Sequence, residues 1–175
     1  KSTKNVLYEV DGESALDLYK QYLGEYADKL PGSALLFPLA IQDEDGRELV
    51  RTILTIDQEN KSMTFAGNIP EGAKVRLMKA NLDNLAAAAS DAASLSNLDD
   101  SAVGGDKLAI LISCVGRKLI FGNRIDEELE AARDIVGADT LITGFYSYGE
   151  IAPFSTFMKC ELHNQTMTIT TICED

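Results

Sequence analysis

A single-domain α+β fold, a mostly antiparallel sheet with about three helices packed on it, is what the sequence predicts, and three observations predict it. Residues 5–79 hold short apolar runs parted by Gly, Pro, Asn and Asp, the signature of strands and tight turns. Three other stretches, from Ala15, from Asn81 and from Ile125, repeat apolar residues at three- and four-residue spacing, as helices do. Between the last two, six of the seven residues from Leu108 to Cys114 are apolar, which reads as a buried strand. With 175 residues and 45% hydrophobic content, the chain can bury one sizeable core, so one domain over residues 1–175 is expected.

In chain order, Asn5 to Val10 forms a short strand, and Asp11-Gly12 turns the chain. Ala15, Leu18, Tyr19, Tyr22 and Leu23 then lie on one helical face, weakened by Gly24 and ended by Pro31-Gly32. Leu35 to Gln42 reads as a strand whose Pro38 favours an edge or a bulge. Asp43-Glu44-Asp45-Gly46 lacks the ligand spacing of a calcium loop and suits a hairpin turn. The segments 49–57, 63–67 and 73–79 extend this into a four-strand antiparallel meander. Leu82, Leu85, Ala86 and Ala89 predict a helix lying on the sheet, followed by a polar loop over 94–105.

The buried strand is followed by a turn and a segment that Gly122 divides into two helical pieces, with Gly137 as the natural end. Ile125, Leu129, Ala132 and Val136 are expected to face the sheet, leaving Asp126, Glu127, Glu128 and Glu130 as a solvated acidic face. Residues 140–151 read as one strand. The segments 154–162 and 167–173 form a last hairpin around His163-Asn164-Gln165, with Asn164 supplying the unusual backbone angle.

A formal net charge of −12 and the lack of any basic run exclude a nucleic-acid surface. No apolar run approaches the roughly 20 residues that span a bilayer, and no signal-peptide pattern opens the chain, so no membrane insertion is expected. Cys114, Cys160 and Cys173 are odd in number and show no CxxC spacing, which suits reduced cytoplasmic thiols. One histidine and scattered cysteines build no common transition-metal site, and the phosphate-loop, dinucleotide and HExxH patterns are missing, so neither metal nor cofactor is expected. The chain starts at Lys1 and almost at once enters a strand, as a piece of a longer protein would.

Chemistry concentrates at the turn after the buried strand. Ser113, Cys114, Gly116 and Arg117 lie where the free N–H groups of a helix start would point outward, and Arg117 offers a planar fork of donors matched to a carboxylate or phosphate. Arg117 is therefore either an anion clamp or an arginine fixing the turn by pairing with a carboxylate such as Glu150. Tyr146, Tyr148 and Glu150 alternate along the expected strand, so they share a face that either lines a polar pocket for an ammonium group or packs as an ordinary sheet face. Cys114 and His163 invite a nucleophile and base, against the plainer reading of a buried thiol and a hairpin turn containing His163 and Asn164.

Three blocks occur in order: Ser113-Cys114-Val115-Gly116-Arg117-Lys118, Gly144-Phe145-Tyr146-Ser147-Tyr148-Gly149-Glu150-Ile151 and Leu162-His163-Asn164-Gln165-Thr166. With Ala15-Leu16-Asp17-Leu18-Tyr19 before them, they give a chain that resembles the C-terminal half of the FIST sensory module from about residue 10 onward. The resemblance implies an intracellular ligand-sensing module of signal-transduction proteins, proposed to bind small molecules such as amino acids. Its N-terminal FIST half would lie elsewhere in a longer protein.

The expected function is thus a non-catalytic cytoplasmic sensor of a small anion or zwitterion, an amino acid or related metabolite. It would signal to an output domain or a protein partner. Ser113, Gly116, Arg117, Tyr146, Tyr148 and Glu150 are the candidate ligand residues, with Cys114, His163 and Asn164 as secondary candidates. The competing classes are a cysteine-dependent hydrolase or transferase using Cys114, and an interaction platform docking a basic partner on Asp126 to Glu130.

Overall fold

The computed structural model describes residues 1–42, 46, 48–96, 105–153 and 159–174. The turn expected at 43–46, most of the loop expected at 94–105 and the start of the strand expected at 154–162 fall outside these residues. Two compact units divide the chain, Lys1–Ala80 and Asn81–Asp175. Both mix helices with mainly antiparallel strands, so the chain is α+β.

In the first unit the opening strand breaks into short pieces, β1 (Ser2–Thr3), β2 (Val6–Leu7), β3 (Glu9–Val10) and β4 (Glu13–Ser14). Strands β3 and β4 close a hairpin over Asp11 and Gly12, whose φ values of 51° and 84° both lie in the left-handed region that tight hairpins demand. Helix α1 (Ala15–Leu23) follows, its first turn capped by Ser14, whose Oγ accepts from the Asp17 N–H at 3.2 Å. Its buried face is Ala15, Leu16, Tyr19 and Leu23, while Tyr22, expected on that face, is exposed. The Tyr19 hydroxyl donates to the Phe37 carbonyl at 2.8 Å, which satisfies the one polar atom that this side chain brings into the core.

The expected meander is two sheets instead. Strand β5 (Leu39–Gln42) is the centre of one, flanked antiparallel by β6 (Glu48–Arg51) and β9 (Lys74–Leu77). Pro38 does not mark an edge: residues Gly32–Leu36 form a 3-10 turn and the strand begins after the proline, whose carbonyl accepts the Met78 N–H. Strand β7 (Ile53–Asp57) pairs with β8 (Ser62–Phe65) in a second sheet ordered β1-β2-β8-β7. Arg51, Thr52 and Ile53 are buried in succession, which one strand with a solvent face does not allow, because successive side chains point to opposite faces. The chain changes sheets there. Leu16, Met63 and Phe65 form the centre of this core.

The second unit starts with α2 (Leu82–Ser96), whose N-terminus is capped by Asn81 Oδ1 accepting the Asp83 and Asn84 N–H groups. Strand β10 (Lys107–Cys114) follows, then α3 (Val115–Phe121), a 3-10 turn over Gly122–Arg124, and α4 (Asp126–Val136). Gly122 and Gly137 end α3 and α4 with φ of 55° and 91°, as their sequence positions predict. Strand β11 (Leu141–Ser147) returns parallel to β10, and β14 (Met167–Cys173) lies antiparallel on its other side. The apolar run is thus the central strand of a β11-β10-β14 sheet.

The expected strand 140–151 does not run through. It ends at Ser147, and after Tyr148-Gly149 the strand β12 (Glu150–Pro153) pairs with β13 (Cys160–His163) as a separate hairpin. Ala89 and Ala93 of α2 and Ala132 and Val136 of α4 pack with Ala109, Leu111 and Met167 of the sheet. The small residues let α2 approach α4 closely enough for Ser90 Oγ to donate to the Ala131 carbonyl at 3.2 Å. Among the described residues, no helix is long and apolar enough to cross a membrane.

Candidate functional site

The turn after β10 is organised by a buried ion pair. Arg117 Nε donates to Glu128 Oε2 at 2.5 Å, and both side chains are almost wholly buried, at 1% and 0% exposure. Ser113 Oγ donates to the other Glu128 oxygen at 2.9 Å, while Arg117 Nη2 donates to the Leu85 carbonyl at 2.7 Å. The guanidinium also lies 6.0 Å from the Phe121 ring centre. One arginine and one glutamate therefore tie β10, α3, α4 and the first turns of α2 together.

Two expectations need correcting. Glu128 belongs to no solvated acidic face: it shares the buried stripe Glu128, Ala132 and Val136 at four-residue spacing, while Leu129, expected inside, is 44% exposed. Arg117 does pair with a carboxylate, but with Glu128 rather than Glu150. The guanidinium is committed to protein acceptors and does not line the cavity beside it.

That cavity, about 280 Å³ and partly open to solvent, lies between α4 and the β10-β11 side of the sheet. Leu111, Ile142 and Met167 make it mainly apolar, and the exposed Leu129 and Phe145 stand at its mouth. Ser113, Glu128 and Tyr146 give it one polar end. Burial pushes the Tyr146 phenol above its ordinary range, and the negative Glu128 adds to the shift. Lys118 Nζ sits 4.9 Å from the centre of the Tyr146 ring, an exposed cation that does not itself line the cavity. Gly144 opposes Leu111 across the parallel pair, and a Cβ there would fall 1.8 Å from the Leu111 carbonyl oxygen.

The remaining candidates separate from this group. Tyr148 falls after the end of β11 and is 87% exposed, so the shared face of Tyr146, Tyr148 and Glu150 does not form. Glu150 is buried and accepts hydrogen bonds from Ser147 Oγ at 2.5 Å and Thr166 Oγ1 at 2.8 Å. Gly116 is buried in α3, a helix of seven residues, and the backbone N–H groups of Gly116, Gln165 and Arg117 favour the Cys114 thiolate. His163 is buried with Nε2 donating to the Ala152 carbonyl at 2.9 Å, and Asn164 donates to the carbonyl of His163. The left-handed residue of that turn is Gln165, φ 56°, not Asn164.

Cys114 is buried, and burial pushes its thiol above the ordinary range against the opposing pull of those three N–H groups, with the Glu150 charge adding to the rise. A raised folded-state value keeps the thiol protonated until pH climbs past the usual thiol range. Iodoacetamide near neutral pH is therefore expected to label the exposed Cys160 and to leave Cys114 unreacted. Fast modification of Cys114 near neutrality would instead favour the cysteine-dependent enzyme. Among the described residues, no group of His, Cys, Asp and Glu is placed to hold a metal ion.

Glu128 and Lys118 stand beside this turn and were not among the candidate ligand residues read from the sequence. Glu128 was legible in principle, since it stands four and eight residues before Ala132 and Val136. The family model for the FIST C domain matches residues 15–153. No curated protein and no solved structure matches the chain.

Proposed function

The chain belongs to the FIST C domain family, a family of sensory signal-transduction domains, and from that premise we propose that the cavity beside Glu128 is its sensory site, taking a small zwitterion such as an amino acid. The observation that carries the reading is one mainly apolar cavity with a single polar end, Ser113, Glu128 and Tyr146, beside which the exposed Lys118 ammonium lies 4.9 Å from the Tyr146 ring centre without itself lining the cavity. Its volume of about 280 Å³ sits at the lower limit of ligand pockets, which suits a metabolite rather than a nucleotide-sized cofactor. Arg117 offsets the Glu128 charge, so the polar end favours neither a bare anion nor a bare cation. In this reading the buried Glu128 carboxylate, held by Ser113 and Arg117, would accept from an ammonium group that displaces Tyr146 from it, and Lys118 would swing in as the cation for a carboxylate. The apolar walls take the side chain.

We read the site as binding rather than catalytic, because the thiol at the turn, Cys114, is buried with a raised pKa, and the Ser113 hydroxyl donates to a Glu128 carboxylate already held by Arg117. Ligand occupancy would be passed to an output domain or a partner protein, and the three free cysteines suit a cytoplasmic setting. The test is a thermal-shift panel of amino acids and small organic acids. At a hundredfold excess over its dissociation constant, a true ligand adds roughly 2.7 kcal/mol, several degrees for a chain of this length. Ile142→Phe, which fills the cavity, is expected to abolish that shift. A panel in which nothing moves the melting temperature, or a shift that Ile142→Phe leaves intact, overturns the reading.

A further inference from the structure

Strand β11 is an edge without the usual protection. Strand β10 occupies one side of it, and among the described residues no strand pairs with the other. Edge strands of soluble proteins are ordinarily blunted by charge, proline, a bulge or brevity. The strand Leu141-Ile142-Thr143-Gly144-Phe145-Tyr146-Ser147 has seven residues, none charged and none proline, and its register with β10 runs without a shift. Leu141 and Phe145 are 68% and 62% exposed. The opposite edge, β14, lies beside α2 and offers threonines where β11 offers aromatics.

We propose that β11 pairs antiparallel with β11 of a second copy of this chain, across a twofold axis at Gly144. The sequence of the strand is what selects a second copy over a foreign strand. A twofold at Gly144 sets Phe145 opposite Thr143, Tyr146 opposite Ile142 and Leu141 opposite Ser147. Each aromatic then meets a β-branched residue, the cross-strand pairing that stabilises antiparallel sheets, and no like charges oppose each other along the strand. The residue on the axis is the one that carries no side chain. The pair would join two three-stranded sheets into one of six, a common sheet size, and would shield both edges at once. This surface stands on the backbone edge and its register, independently of any ligand.

Sedimentation analysis of the full chain over about 1–300 µM, with amide exchange at both limits, tests it. A reversible dimer is expected, with exchange across Leu141–Ser147 slowing as the dimer fills. Added salt is expected to strengthen the association, because each copy carries a net charge of −12. Phe145→Lys, at an exposed position, should weaken dimerisation at least about tenfold while leaving the circular dichroism spectrum and melting temperature of the monomer unchanged. A monomer throughout the range overturns the proposal, as does a dimer without protection in β11 or one that Phe145→Lys leaves intact. A monomer that binds an uncharged extended heptapeptide at this strand would give the edge to a foreign partner and overturn self-pairing equally.

Discussion

Arg117→Ala is expected to destabilise the second unit by about 3–5 kcal/mol, because it leaves the Glu128 carboxylate buried at 0% exposure without its counter-charge. Glu128→Ala should cost a similar amount by stranding the guanidinium, which would keep its hydrogen bond to the Leu85 carbonyl but no counter-charge. The double replacement Arg117→Met with Glu128→Leu separates the two meanings of that loss. A buried pair can often be exchanged for packed apolar side chains with little net change, since both desolvation costs disappear together. The double variant should therefore lie much closer to wild type than either single one. Urea unfolding of the three variants measures this, and a loss below about 1 kcal/mol for Arg117→Ala would mean that the pair is far better solvated than its burial indicates.

Gly144→Ala is expected to be the most damaging glycine-to-alanine change among the described residues, at about 4 kcal/mol or more. Its Cβ would lie 1.8 Å from the Leu111 carbonyl oxygen, an atom of the central strand that cannot move without disturbing the ladders on both sides. Gly149 makes the informative control. A Cβ there would meet Leu162 Cδ1 at 3.1 Å, the far end of a flexible side chain, so Gly149→Ala should cost no more than about 1 kcal/mol. Denaturant midpoints of the two variants check the contrast, and near-equal values would place the tight approach of β10 and β11 in doubt.

Local pattern carried the parts of the fold that depend on local pattern. The unbroken apolar run at Leu108–Cys114 is the central strand, and Gly122 and Gly137 stop helices where a left-handed residue is needed. The errors share a different origin. Whether Leu49 to Asp57 stays in one sheet is decided at Arg51-Thr52-Ile53 by where two sheets lie, which no alternation of residue types encodes. The same holds for Tyr148, whose alternation with Tyr146 and Glu150 is real in sequence and void once the strand ends at Ser147. Glu128 was misplaced for the opposite reason. In a run of acids a glutamate looks solvated, and only the buried Arg117 eleven residues earlier requires one of them to turn inward. Ser113, Arg117 and Tyr146 are candidates by sequence and do lie together, but around a carboxylate, Glu128, whose run of acids reads as a solvated face.

Strand β14 gives the second unit an order of assembly. The first unit can close its core on partners that all precede residue 81, so that core is complete in sequence once that much chain has been made. The second unit is different: β10 needs β14 along seven register positions, from Lys107↔Cys173 to Ser113↔Met167, and Met167 lines the cavity. Until those last residues leave the ribosome, β10 has β11 on one side and water on the other. The cavity beside Glu128 is consequently the last part of the described second unit to acquire its walls, and a chain halted before residue 167 would present an open sheet edge with an incomplete pocket.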